Sequence, residues 1–201
     1  YPLMITLQGH TTGMHISLGI EKYPGDEEYS TNSAYALQAV ANGYAALCIE
    51  QRSMGERRPP NLADRGHNCC YQTHNAFMLG RTTIGERAWD VSRALDLMTE
   101  FAQIDTERVG ITGNSGGGTA SFYAACLDNR IKASIPSCSF CPYTESIMAM
   151  LHCGCNYIPG AFRYFDMEDL TCLIAPRKLL IVNGEKDDIF LFEGTKRAFE
   201  T

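Results

Sequence analysis

The chain has 201 residues, 45% of them hydrophobic and 20% charged, with a formal net charge of −6. These are the proportions of an ordinary globular domain long enough to bury a core, and the acidic balance with no basic run excludes a broad nucleic-acid surface. No apolar stretch approaches membrane-spanning length, and no charged-then-apolar leader opens the chain.

In chain order, apolar β-favouring runs predict strands over Leu3–Gln8, Tyr44–Glu50, Arg108–Thr112, Ile131–Pro136 and Lys178–Asn183. Helical spacing predicts helices over Thr31–Ala41, Ile84–Gln103, Ser115–Leu127 and Glu193–Glu200. In the longest, Ala88, Val91, Ala94, Leu95 and Met98 recur at three-and-four spacing, one stripe to face a sheet. Strands alternating with helices predict an α/β fold of three layers, a mostly parallel twisted sheet with helices on both faces. One domain, 1–201, is expected. Two stretches break the rhythm: 52–81 is polar and punctuated by Pro and Gly, and 138–170 is rich in aromatics, Met, Cys and Pro. Insertions beyond strand ends shape pockets, so 138–170 is expected to form one. The first residues already read as strand and the last as helix, so both ends are expected to be cut from a longer protein.

The chemistry concentrates at Ile111-Thr112-Gly113-Asn114-Ser115-Gly116-Gly117-Gly118. A strand runs into G-x-S-x-G and a helix follows. A serine used as a nucleophile stands on a strand-to-helix turn so sharp that its backbone is strained. Glycines two positions to either side let neighbouring chain pass that close. The N–H of Gly116 is then aimed at a developing oxyanion, aided by the positive end of the helix. A phosphate cradle fits less well, because no Lys-Ser/Thr follows and G-x-G-x-x-G is absent. Ser115 is therefore the expected nucleophile.

Nine cysteines are present: Cys48, Cys69, Cys70, Cys126, Cys138, Cys141, Cys153, Cys155 and Cys172. The odd count, with Cys48 and Cys126 inside apolar elements, suits reduced thiols and a cytoplasmic setting better than a disulfide framework. Cys138-x-x-Cys141 with His152, Cys153 and Cys155 holds enough soft ligands for zinc. Cys-x-Cys is not the usual zinc knuckle, however, and Cys138 lies just past an apolar strand. No metal is expected, and the thiols are expected to pack near the active end of the sheet.

Strand, Gly-Asn-Ser-Gly-Gly-Gly and helix, with the later Ile181-Val182-Asn183-Gly184-Glu185-Lys186-Asp187, resemble the α/β-hydrolase superfamily. Glu50-Gln51-Arg52-Ser53-Met54-Gly55-Glu56-Arg57 and Gly80-Arg81-Thr82 to Gly85-Glu86-Arg87-Ala88-Trp89-Asp90 resemble its acetyl xylan esterase and dienelactone hydrolase-like branch, which grades into prolyl oligopeptidase-related hydrolases. The resemblance implies a serine hydrolase that cleaves carboxylic esters through an acyl-enzyme without a cofactor. Its substrate would be a small-molecule ester such as an acetylated carbohydrate; peptides and lactones are the alternative, and a non-catalytic relative is another. It implies Asp187 as the triad acid, ahead of Asp188 and Glu185. Gln8-Gly9-His10-Thr11-Thr12-Gly13 takes the place of the family's His-Gly-Gly stretch, which implies the His10 backbone N–H, then Thr11, as the second oxyanion donor. The fold's order is Ser, Asp, His, yet the five histidines (His10, His15, His67, His74 and His152) all precede Asp187. The catalytic His is expected beyond Thr201, with His152 as the stand-in. Arg52 is expected to tie its loop to Asp90 or Glu86 rather than to clamp substrate.

Overall fold

The computed structural model describes residues 1–59 and 69–201. Five strands form one sheet: β1 (Pro2–Leu7), β2 (Ala45–Cys48), β3 (Asp105–Asn114), β4 (Ile131–Ser137) and β5 (Lys178–Leu179). Their order is β2-β1-β3-β4-β5, and each neighbouring pair is parallel. Helices α1 (Glu27–Ser33), α2 (Tyr35–Ala41), α3 (Cys69–Met78), α4 (Thr83–Met98), α5 (Gly116–Leu127) and α6 (Phe192–Glu200) connect and cover them, giving the three-layer α/β/α arrangement the alternation requires.

The core forms where β1 and β3 offer Leu3, Ile5, Leu7, Val109 and Ile111 to Ile84, Ala88, Val91 and Leu95 of α4 and to the almost wholly buried α5. The expected stripe on α4 thus faces inward, while Trp89 on its far side is exposed and carries the Arg93 guanidinium 4.3 Å from its ring. Thr82 starts this helix by accepting a hydrogen bond from the Gly85 N–H at 3.1 Å. No described helix is long and apolar enough to cross a membrane.

Four expectations change. The helix read as Thr31–Ala41 is two, because Ala34 leaves helical geometry at ψ 55° and turns the chain between α1 and α2. The helix read to Gln103 ends at Met98, after which the N–H groups of Thr99, Glu100 and Phe101 bond three residues back in tightened turns. The stretch 52–81, read as irregular, contains α3, which buries Cys69, Thr73 and Ala76 at i, i+4 and i+7. Residues 60–68 of that stretch, His67 among them, lie outside the described residues. The last strand is regular only at Lys178–Leu179 but stays beside β4, where Val182 donates to the Pro136 carbonyl at 3.1 Å.

Candidate active site

In a parallel sheet of this order the connections leave β1 and β3 in opposite directions, which opens a crevice at their carboxyl ends. The loop Gln8–Thr11 leaves β1 there and Ser115 leaves β3 there. Both line a cavity of about 200 Å³ together with Asn114, Ile16, Tyr29 and Tyr35.

Ser115 has φ 51° and ψ −121°, a conformation that L side chains rarely adopt. Its neighbours show why the glycines are needed. A Cβ on Gly117 would lie 2.1 Å from the Leu7 carbonyl oxygen, and one on Gly113 would lie 2.5 Å from both that oxygen and the Gly117 backbone. Here β1, β3 and the start of α5 touch through bare backbone. The Ser115 N–H donates to the Ser137 carbonyl at 2.8 Å, which fixes the turn to the end of β4. Gly116 is the first residue of α5, where helix geometry leaves N–H groups without an intrahelical acceptor. Strain gathers along the same sheet edge. Ser53 after β2 and Cys138 after β4 are the other described non-glycine residues with positive φ.

The His10 ring packs on Gly116, whose Cβ would lie 2.5 Å from it. The Thr11 N–H is committed to the Gly9 carbonyl at 2.8 Å. Beneath this loop the Glu50 carboxylate accepts from Gln8 Nε2 and the Met14 N–H, each at 3.0 Å. Burial raises its pKa. Further along, Asp26 accepts from Thr12 Oγ1 at 2.5 Å and faces His15 Nε2 at 2.9 Å. Burial pushes its carboxyl up, but hydrogen bonds from Thr12, the Tyr23 and Lys22 N–H groups and His15 outweigh that and hold it at about 2.

Asp187 is half-buried, and its Oδ1 accepts from the Ile189 and Phe190 N–H groups, each at 2.9 Å. Asp188 and Glu185 are exposed. His152 accepts from Asn156 Nδ2 at 3.0 Å through Nδ1 and lies edge-on to Phe190, ring centroids 5.3 Å apart. Its buried Nε2 has no partner among the described residues. Burial, helped by the nearby His10, lowers its pKa, so it is neutral near pH 7. Arg52 behaves as expected: it grips Asp90 with two bonds of 2.8 Å and reaches Glu86 at 3.1 Å.

The nine thiols are free, but two are exposed (Cys70 and Cys172), and the grouping of Cys138 and Cys141 with His152, Cys153 and Cys155, weighed for zinc and set aside, does not come together among the described residues. Cys141 faces the Leu191 carbonyl, and burial lifts its thiol to about 11. Cys153 and Cys155 instead meet Cys69 of α3 and the His10 imidazole. Hydrogen bonds from Cys153 and Cys69, and then the Arg87 guanidinium, pull the Cys155 thiol far below its ordinary value. Neither partner is evident from the sequence: α3, which carries Cys69, has no strong pattern, and the His10 side chain reads more readily as a loop histidine packed beneath the site than as a ligand.

A family described as glucuronyl esterase, fungi, matches residues 28–141, more than half of the chain, including β2, β3, Ser115 and α5. The chain belongs to this glucuronyl esterase family. Among similar proteins, YtaP of Bacillus subtilis (strain 168), which is named as a hydrolase, is 25% identical over 98% of this chain and 64% of its own length. The 4-O-methyl-glucuronoyl methylesterase of Cerrena unicolor is 33% identical over 48% of the chain and 20% of its own length. A crystal structure from Bacteroides fragilis, described as an acetyl xylan esterase, superposes with a TM-score of 0.80 at 17% identity, over 99% of this chain and 55% of that one. That likeness establishes the α/β-hydrolase fold. This glucuronyl esterase family member thus spans less than two thirds of the length of these relatives.

Proposed function

We propose that the protein is a carboxylic ester hydrolase in which Ser115 is the nucleophile. The observation that carries this reading is the strained Ser115 backbone, held where three elements meet through glycine at the crevice between β1 and β3. Such an arrangement serves a sharply turned side chain presented at a cavity. Ser115 Oγ attacks the ester carbonyl as an imidazole removes its proton. The Gly116 and His10 N–H groups stabilise the oxyanion, and the imidazolium returns the proton to the departing alcohol. Water then cleaves the acyl-enzyme by the same steps. Asp187 orients the imidazole and stabilises its charge; the two N–H bonds it accepts hold it in place.

The base in this reading is a histidine that follows Asp187 in the fold's order; residues 1–201 contain none there, and the relatives are longer than this chain. A second reading makes His152 the base, because its Nε2 is unpartnered and its ring rests on Phe190, whose N–H binds Asp187. His152→Ala separates the two: a loss as large as that of Ser115→Ala favours the second.

The substrate is a carbohydrate ester. The glucuronyl esterase match favours a sugar uronate on the acyl side, whereas the acetyl xylan esterase likeness favours a sugar on the alcohol side. The stretch 138–170 is proposed to shape the binding region, since it supplies most of an apolar cavity of about 480 Å³ lined by Tyr143, Ile147, Tyr157 and Phe162. The test is turnover of a glucuronic acid methyl ester, acetylated xylo-oligosaccharides and p-nitrophenyl acetate by the full-length protein. At least one ester should turn over, and Ser115→Ala should lower that rate by about 10³-fold or more. Undiminished turnover in the variant would overturn the assignment.

A further inference from the structure

Beside the elbow, His10 Nε2 and the sulfurs of Cys69, Cys153 and Cys155 all lie within 4.8 Å of one another. His10 Nε2 stands 3.0 Å from Cys155 Sγ, and the Cys153 and Cys155 sulfurs are 3.2 Å apart. Around zinc, with bonds of about 2.3 Å to sulfur and 2.0 Å to nitrogen, the edges of such a tetrahedron measure roughly 3.5–3.8 Å. The two shortest separations fall a few tenths of an ångström below these lengths and the rest lie within 4.8 Å, so small side-chain rotations bring four donors onto one centre.

Arg87 is the independent observation. It projects from α4 into this cluster, is 2% exposed, and places Nη2 3.2 Å from Cys69 Sγ. Its Nε and Nη1 are buried with no partner among the described residues. A guanidinium cannot shed its proton in compensation, so burial this deep requires a nearby anion. Neutral thiols do not supply one. Three thiolates and an imidazole around a divalent ion leave one net negative charge, and Arg87 offsets it.

We propose that His10, Cys69, Cys153 and Cys155 form a closed structural zinc site that ties the loop after β1, the start of α3 and the insertion 138–170 together. Four protein ligands leave no open position, so the ion is structural rather than catalytic. Soft thiolates select zinc over magnesium or calcium. On binding, each cysteine still protonated gives its proton to solvent and its sulfur lone pair to the ion, with no change of oxidation state. The site also orients the His10 ring that lies on Gly116. It stands apart from the esterase reading, because nothing in it depends on Ser115 as a nucleophile.

The test is elemental analysis of the purified full-length protein, followed by replacement of the metal with cobalt. About one zinc per chain is expected. The cobalt form should show thiolate-to-metal charge-transfer absorption and the intense visible bands of a tetrahedral centre. Cys155→Ser should weaken zinc retention at least about tenfold, whereas Cys70→Ser, at the exposed neighbouring thiol, and Ser115→Ala should retain it in full. Should Cys155→Ser fail to fold, the cobalt spectrum of the unmodified protein decides. Failure to take up zinc or cobalt, a non-tetrahedral spectrum, full zinc retention in Cys155→Ser, or a Cys153–Cys155 disulfide in freshly purified protein would overturn the proposal.

Discussion

The elbow around Ser115 and the cluster around Cys155 share the His10 loop and the same end of the sheet, yet they are held by different means. The elbow is backbone against backbone: Gly113, Gly117 and the carbonyl oxygens of Leu7 and Gln8 meet where no Cβ fits, and Ser115 takes its conformation from that contact. The cluster is side chain against side chain, four residues drawn from three places in the sequence, with a buried guanidinium beside it. Backbone packing of the first kind tolerates almost no substitution. A side-chain cluster depends on protonation and on what it binds.

The largest effect is expected at the elbow. Gly117→Ala should cost about 4 kcal/mol or more, or prevent folding, because the clash is with backbone that cannot rotate away. Denaturant unfolding measures this, and a near-neutral result would show that the close approach is not needed. Next, Arg87→Leu should destabilise by about 3 kcal/mol, since it removes a buried charge that faces the thiols. Reactivity at Ser115 should survive in the folded fraction. If it vanished there, the two regions would prove to be one unit.

The third prediction concerns the loop common to both. With its folded pKa near 2 against an ordinary 3.8, Asp26 stabilises the fold above about pH 4, and that contribution disappears as pH falls through 2. Asp26→Asn should therefore cost on the order of 2 kcal/mol at pH 6, a gap that closes on acidification. A gap that does not depend on pH would mean that the carboxylate charge is not what holds the loop. The smallest effect is at Arg52. Arg52→Lys keeps the charge but loses the two-pronged grip on Asp90, and should cost about 1 kcal/mol with little change at either region.

What could be read from the sequence follows the same division. Local patterns exposed the alternating elements, the β3–Ser115–α5 turn and the Arg52 ion pairs, because each depends on neighbours in sequence or on one strong chemical preference. The break at Ala34 was hidden, since nothing in Thr31–Ala41 forbids a continuous helix. Helix α3 was hidden by its polar composition, although Cys69, Thr73 and Ala76 carry a helical spacing of small residues. Cys-x-Cys at Cys153 and Cys155 was visible, but its partners lie 84 and 143 residues away from Cys153 in sequence, at Cys69 and His10. Only the crossover from β1 past α3 to the insertion brings them together. Nearness in sequence points to Cys138 and Cys141 as companions, where no metal is expected.

The central claim is that the strained turn presents Ser115 as a nucleophile. Its most direct test is to treat the full-length protein with a fluorophosphonate and locate the adduct by peptide mass spectrometry. The account predicts phosphonylation of Ser115, abolished in Ser115→Ala while the variant's fold is retained. An adduct on another serine, or a folded protein that takes up no reagent, would contradict it.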